Sequence, residues 1–271
     1  MAPRAERPLP RELPEITSIT RLARGGRWRT EAMRSYDRPL LLWVTRGQGR
    51  LTISGQSGGY GPHNAIFLPP GTMHGFSVAG PVLGHVVWLP RDAADDWPSQ
   101  PVHLRLHDAR LQRELTAQIA TIDSELTHET LHSAEAVRLY TRLLAIWFSR
   151  TVTETPDGSA GDSTSRASRL TEAYTAMIEQ EFRRPVGVQY FAKALGVTPT
   201  HLSRVCRSVS GRPALDLLTD RRHFEACRML KDTTLPVSDI ARQTGFRSAA
   251  YFTRAFKART AMTPTAFRGA N

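Results

Sequence analysis

Cysteine is almost missing from this chain: 271 residues hold two, Cys206 and Cys227. Two thiols cannot build a disulfide framework or a four-cysteine zinc site, and both fall inside helical patterns, where small core thiols of a reducing cytoplasm are expected. No run of 18 apolar residues occurs, and Met1 to Pro14, rich in Pro, Arg and Glu, has no apolar stretch of the kind a signal peptide needs. A cytoplasmic protein with no membrane partner is expected.

Acidic residues are also scarce in one half. The chain carries 36 Lys and Arg against 25 Asp and Glu, a net charge of +11. Residues 166 to 271 hold 18 against 8, net +10, so the remaining 165 residues are close to neutral at +1. A surplus serving only solubility would be spread over both parts. A local surplus is the footprint of a polyanion-binding surface.

The length allows two domains, each with its own core. Residues 1–15 read as a disordered tail. Over residues 16–92, short apolar runs alternate with turn residues: Leu40 to Thr45, a turn at Arg46-Gly47-Gln48-Gly49, Leu51 to Ser54, Ala65 to Leu68, His74 to Val78 and His85 to Leu89, with Pro69-Pro70-Gly71 and Gly80-Pro81 between the later ones. That spacing predicts an antiparallel barrel or sandwich. Over residues 93–150 the period becomes helical, with Leu111, Leu115, Ile119, Ile122 and Leu126 on one stripe and Val137, Tyr140, Leu144, Trp147 and Phe148 on another. These predict a helical hairpin, free to pack on the barrel or on a second subunit. Residues 151–168 are polar and aperiodic and read as a linker, leaving 169–271 as the C-terminal domain.

That domain contains an internal repeat. Ala192-Lys193-Ala194-Leu195-Gly196-Val197 returns as Ala241-Arg242-Gln243-Thr244-Gly245-Phe246, and His201-Leu202-Ser203-Arg204-Val205-Cys206-Arg207 returns as Tyr251-Phe252-Thr253-Arg254-Ala255-Phe256-Lys257. Each unit reads as a short helix ended by a Gly that accepts a left-handed conformation, an apolar corner residue, and a second helix. Helical phasing buries Leu202, Val205 and Cys206, and Phe252, Ala255 and Phe256. It exposes Thr198, Thr200, His201, Ser203, Arg204 and Arg207 in the first unit, and Arg247, Ser248, Ala249, Ala250, Tyr251, Thr253, Arg254 and Lys257 in the second. Such faces fit the DNA major groove, with Arg204 and Arg254 as base readers. Each exposed residue also fits a merely solvated helix face. Leu215 to Leu230 is amphipathic, with Leu218, Phe224, Met229 and Leu230 apolar and Arg221, Arg222 and Arg228 charged; as one helix it would fix the two units relative to each other.

Ile240-Ala241 through Gly245-Phe246, the run Tyr251 to Lys257, and Thr263-Pro264-Thr265-Ala266-Phe267-Arg268 resemble the signature of the AraC/XylS family of transcription regulators, over roughly residues 170–268. The resemblance implies a seven-helix domain that reads two successive major-groove segments of double-stranded operator DNA, some dimer contact, and RNA polymerase as a partner if the protein activates. Two departures stand out. Cys206 replaces a usual large aromatic, and Ala249 and Ala250 offer no polar reach, so the second unit is expected to hold phosphates more than it reads bases.

Val44 to Leu51, Gly61-Pro62 and Leu68 to Phe76 resemble the cupin-like sensor domains that precede this module. The implied fold is α+β: a cupin-like antiparallel β-barrel with a helical hairpin, followed by an all-α domain of two helix-turn-helix units joined by a long helix. Metal-using cupins need two His separated by one residue, whereas His63, His74 and His85 are isolated, so no metal or other cofactor is expected. A barrel pocket for a small organic effector, an aromatic or other organic acid, is expected around Trp43, Phe67, His74, Phe76 and Trp88, residues that equally suit plain core packing.

One motif points elsewhere. His128-Glu129-Thr130-Leu131-His132 matches HExxH, in which two His one helical turn apart bind zinc beside a general-base Glu. Glu135 is a conceivable third ligand, yet the pentamer lies between two helical stripes, with Ser133 placed to start the second, and no protease-like surroundings accompany it. Three readings remain: an effector-sensing regulator with no catalytic residue, a metal-dependent enzyme, and a DNA-binding protein whose front domain only dimerises.

Overall fold

The computed structural model describes residues 12–24, 26–128, 130–155 and 165–270. Its N-terminal part is antiparallel β, and its C-terminal part is helical. The strands are β1 (Glu15–Ser18), β2 (Leu40–Ile53), β3 (Gln56–Tyr60), β4 (Asn64–Leu68), β5 (His74–Phe76), β6 (Ala79–Trp88) and β7 (Val102–Arg105), with a short helix α1 (Ile19–Arg24) after β1. The sheet order is β1-β6-β2-β4-β7, and the far half of β2 pairs with β3 and β5. β2 therefore belongs to both layers of a sheet that folds over on itself.

Alternation along β2 sorts its apolar run onto two faces. Leu40, Leu42 and Val44 point inward with Ile66, Leu68, Phe76, Val82 and Val86. Leu41 and Trp43, with Phe67 and Val87, point outward, where α2 (Ala109–Thr127) and α3 (Ser133–Glu154) cover them through Leu115, Ile119, Ile122, Leu144 and Phe148. Burial on both faces explains why Leu40 to Val44 has no polar alternation. Phe67 stacks on Trp97 with ring centroids 5.0 Å apart, and Phe148 closes the group at 5.4 Å from Trp97.

Several expected boundaries differ. Arg46 to Gly49 is no turn: β2 continues through it, bent by register shifts against β6. The glycines serve close approach instead, since a Cβ on Gly47 (φ 90°) would lie 2.6 Å from the Pro81 carbonyl oxygen and one on Gly49 2.2 Å from that of Ser77. β6 likewise runs through Gly80-Pro81. β1, β3 and β7 were not foreseen as strands, being short or glycine-rich; β7 follows a polar loop and pairs with β4 inside the range read as purely helical. Of the expected tail, residues 1–11 lie outside the described residues, while Glu12 pairs with Arg91 at 2.6 Å. Residues 156–164 of the expected linker also lie outside them, and helix occupies both ends of that range, through Glu154 and from Arg166.

The C-terminal part contains, among the described residues, α4 (Arg166–Glu181), α5 (Val188–Ala194), α6 (Pro199–Ser210), α7 (Ala214–Asp232), α8 (Val237–Gln243), α9 (Ala249–Thr260) and α10 (Pro264–Gly269). Two cores lie along α7. Tyr174, Ile178, Phe191, Leu202, Cys206, Leu217 and Leu218 form the first. Ala226, Leu230, Ile240, Phe252, Phe256 and Phe267 form the second. Of the charged residues expected on one face of α7, Arg221 is buried under the β domain, Arg222 is half-buried and Arg228 is exposed; Asp220, His223 and Glu225 of the same helix are also each less than a tenth exposed.

Candidate nucleic-acid interface

The two units are built alike at the turn. Gly196 (φ 67°) and Gly245 (φ 77°) take the left-handed conformation, and the next amides close the corner, Val197 N–H to Ala192 O at 2.9 Å and Phe246 N–H to Ala241 O at 3.0 Å. Thr198 then caps α6 by accepting from the His201 amide at 3.2 Å, as Ser248 caps α9 by accepting from the Tyr251 amide at 3.2 Å. Thr198 and Ser248 thus start the two helices at equivalent places. An exposed helix N-terminus also favours a phosphate there.

Leu202, Cys206, Phe252 and Phe256 are buried and Val205 and Ala255 half-buried. On the opposite face of α6, Thr200, Arg204 and Arg207 are exposed, and His201 and Ser203 half-exposed. Arg204 Nη2 lies 3.1 Å from His201 Nδ1, which holds the guanidinium along the helix. On α9, Ala249, Ala250, Tyr251, Arg254 and Lys257 are exposed and Thr253 half-buried. Arg247 is exposed but donates from Nε to the Pro185 carbonyl at 3.3 Å, so it also ties the second unit to the end of α4. Lys193 and Arg242, exposed in the first helix of each unit, extend the basic face; the repeat itself marks them, since they occupy matching positions.

The relative placement of the units is enforced by polar contacts that sequence periodicity does not reveal. Asp220 of α7 receives Arg212, just after α6, on one carboxylate oxygen and Arg259, near the end of α9, on the other. Arg222 donates to the carbonyls of Phe182 at 2.8 Å, Arg184 at 2.7 Å and Val186 at 2.8 Å, satisfying the orphan acceptors where α4 ends. Arg221 sits under the β domain, paired to Glu179 at 2.9 Å and Glu225 at 3.2 Å. Burial works to raise the Glu225 carboxyl pKa. The Arg228 hydrogen bond and the charges of Arg221, Arg228 and Arg183 outweigh it and bring the value down to about 2.

The five residues expected to line one effector pocket are not brought together. Trp43 and Phe67 pack outward against the helical hairpin, while Phe76 and Trp88 pack with the inner core. His74 is fully buried beside Tyr36, ring centroids 5.6 Å apart, at the seam with α7. Side-chain alternation separates the first pair from the others: Trp43 is out of phase with Leu42 and Val44. The space among Ile19, Leu42, Val44, Leu51, Tyr60, Ile66 and Phe76 amounts to 10 Å³, room for about one water.

HExxH geometry is not formed either. Glu129 lies outside the described residues, and the pentamer spans the α2–α3 turn: His128 ends α2 with Nδ1 on the Ser124 carbonyl at 2.9 Å, while His132 has φ 67° just before α3. The two imidazoles therefore do not share a helical turn. Among the described residues no group of three or more His, Cys, Asp or Glu is placed to hold a metal, and no helix is long and apolar enough to cross a membrane.

Two helix-turn-helix units on a common helix, with basic outer faces, define a DNA-binding domain of the double type. Residues 191–270 match a helix-turn-helix domain family. The chain is 32% identical over 93 residues to the probable transcription factor PqrA of Proteus vulgaris, covering 34% of this chain and 76% of that one. It is 24% identical over 251 residues, 86% of each chain, to the arabinose operon regulatory protein of Salmonella typhimurium. It is 29% identical over 194 residues to the regulator GlxA of Rhizobium meliloti, covering 66% of this chain and 59% of that relative's length. The chain belongs to the AraC/XylS family of DNA-binding transcription regulators.

Proposed function

We propose that this regulator is switched by a small organic effector and that the switch acts through α7. The observation that carries this reading is the seam itself: Trp28 and Tyr36 of the β domain pack on Phe224 of α7, centroids 5.8 and 6.2 Å apart, and Ser35 hydrogen-bonds Glu179 of α4. α7 is the helix that sets both recognition helices through Asp220. A ligand that alters the seam therefore alters the presentation of α6 and α9 together.

In this reading Thr198, Thr200, His201, Ser203, Arg204 and Arg207 of the first unit supply most base contacts. Arg247, Ser248, Ala249, Ala250, Tyr251, Thr253, Arg254 and Lys257 of the second hold the backbone of the next groove segment. Leu139, Leu143 and Ile146 lie along one exposed stripe of α3 beside the half-covered Tyr140, an apolar face suited to a homodimer. RNA polymerase is a partner if the protein activates.

The filled inner core favours a second reading, in which the β domain is only a dimerisation platform. Operator binding by the full chain, measured with and without a panel of small metabolites, separates the two. A ligand-dependent change in affinity supports the switch; an operator affinity insensitive to every compound supports the platform.

A further inference from the structure

A cleft of 690 Å³ runs beside the first recognition helix. One wall is the face of α6 that carries Thr200, Ser203, Arg204 and Arg207, so the cleft is continuous with the DNA-facing surface described above. The rest of its lining is apolar: Pro199 at the start of α6, Val188 at the start of α5 and Leu215 at the start of α7. Among the described residues no acidic side chain lines it. Asp216, the residue after Leu215, lines a separate cleft with Asp220 and His223.

The phasing of α7 puts Ala214, Leu217 and Leu218 in the core and leaves Leu215 57% exposed. A lone surface leucine is ordinary and by itself needs no explanation. The internal repeat sets this one apart. Gly211 (φ 74°) and Ala261 (φ 58°) end α6 and α9 in the same left-handed conformation, and the next helices begin at the matching residues Ala214 and Pro264. Leu215 therefore corresponds to Thr265, which is also exposed. At the same place relative to its recognition helix, the second unit presents a hydroxyl that can donate to a phosphate oxygen. The first presents a side chain with nothing to donate.

A helix seated in a major groove is flanked by the sugar-phosphate strands that edge the groove. Such a strand offers charged phosphates, which suit Arg207, and the C–H surface of its deoxyriboses, which an apolar side chain can cover. We propose that Leu215, with Pro199 and Val188, forms a rest for the deoxyribose edge of one DNA strand beside α6. The contact releases no counterion and reads no base, so it adds affinity to every sequence alike and adds nothing to the salt dependence. The proposal rests on the reading of α6 as a recognition helix and gives the first unit a second, uncharged grip.

The test uses the full chain with two duplexes of equal length, one selected by the protein from a random-sequence library and one unrelated, with affinity read by anisotropy from 50 to 200 mM salt. Leu215→Ala is expected to weaken both duplexes about threefold to tenfold, the worth of the apolar groups removed, with the slope of log affinity against log salt unchanged. Leu215→Met, which keeps the bulk, should stay within about twofold of the parent. Leu215→Lys should steepen the slope by ~0.9, because the new charge meets the adjacent phosphate. Circular dichroism should not change in any variant, since Leu215 is more than half exposed. Normal binding by the parent with unchanged affinity in Leu215→Ala overturns this proposal alone. So does a loss confined to the selected duplex, which would make Leu215 a base reader, or a slope altered by Leu215→Ala. A parent chain that binds neither duplex overturns the recognition-helix reading together with it.

Discussion

Arg34 and His74 exchange both backbone hydrogen bonds, Arg34 N–H to His74 O at 2.8 Å and His74 N–H to Arg34 O at 2.7 Å, which holds a buried imidazole beside a buried guanidinium. Burial first, and the Arg34 charge second, push the His74 pKa down to about 3. His223 of α7, buried and near Arg259, is lowered to about 4.

Both histidines stay neutral in the fold while the unfolded chain takes up protons below its ordinary value of about 6.5. Their contribution is therefore complete above pH 6.5 and is lost as pH falls toward 3 to 4, at ~1.4 kcal/mol per pH unit for each excluded proton. Glu225 adds a loss between about 4.5 and 2. Chemical unfolding of the full chain from pH 7 to 4.5 should show falling stability, to which His85 and His103, lowered by burial in the same direction, also contribute, and His74→Gln should remove one proton's share of the slope between pH 6 and 5, ~1 kcal/mol per pH unit. A slope unchanged in His74→Gln contradicts the neutral buried imidazole.

The two turn glycines look equivalent in the repeat but are not equivalent in space. A Cβ on Gly196 would meet nothing within 4 Å, whereas one on Gly245 would lie 2.3 Å from the Phe182 carbonyl oxygen and 2.9 Å from that of Arg184. Gly196→Ala should cost only the left-handed backbone penalty, ~1 kcal/mol. Gly245→Ala adds a clash with the end of α4 and should cost ~3 kcal/mol or more by denaturant unfolding. Equal costs would mean that the second turn is not packed against α4.

The exposed stripe on α3 predicts self-association. Leu143→Glu should shift the full chain toward monomer in sedimentation while leaving its circular dichroism unchanged, because Leu143 is more than half exposed. Retention of the same oligomer would place the subunit contact elsewhere.

The helix-turn-helix units were legible because their signal is local and repeated. A glycine, a corner apolar residue and 3.6-residue phasing fix Leu202, Cys206, Phe252 and Phe256 inside, whatever lies beyond the domain. The bend in β2 was misread because glycine marks a turn and a close backbone approach with the same letter. Nothing in the sequence separates Trp43 from Phe76 until register assigns each to a face. Arg34 stands in a loop with no pattern, and it is buried by Phe76 and His74 of its own domain together with Phe224 of α7, contacts distant in sequence. The same long-range contact turned Arg221 from an expected surface charge into a buried one.

The two recognition helices should differ in kind. Arg204 has Thr200, Ser203 and Arg207 as neighbours, while Arg254 has Ala250 one turn before it. Arg204→Ala is expected to cost ~1 to 3 kcal/mol on the cognate operator and to relax preference at one or two base pairs. Arg254→Ala should weaken all sequences more evenly. Binding of both variants to an operator library at fixed salt reads the difference, and the opposite pattern would reverse the roles of α6 and α9.

The claim beneath all of this is that the basic faces of α6 and α9 bind DNA through several phosphate contacts at once, and the salt dependence of duplex binding by the full chain tests it most directly. Each phosphate contact adds ~0.9 to the slope of log affinity against log salt, so six or more would lower affinity by ~10³-fold between 50 and 200 mM. Arg254→Ala and Lys257→Ala should each reduce the slope by about one unit. A flat response over that range, or slopes untouched by both substitutions, would contradict the account.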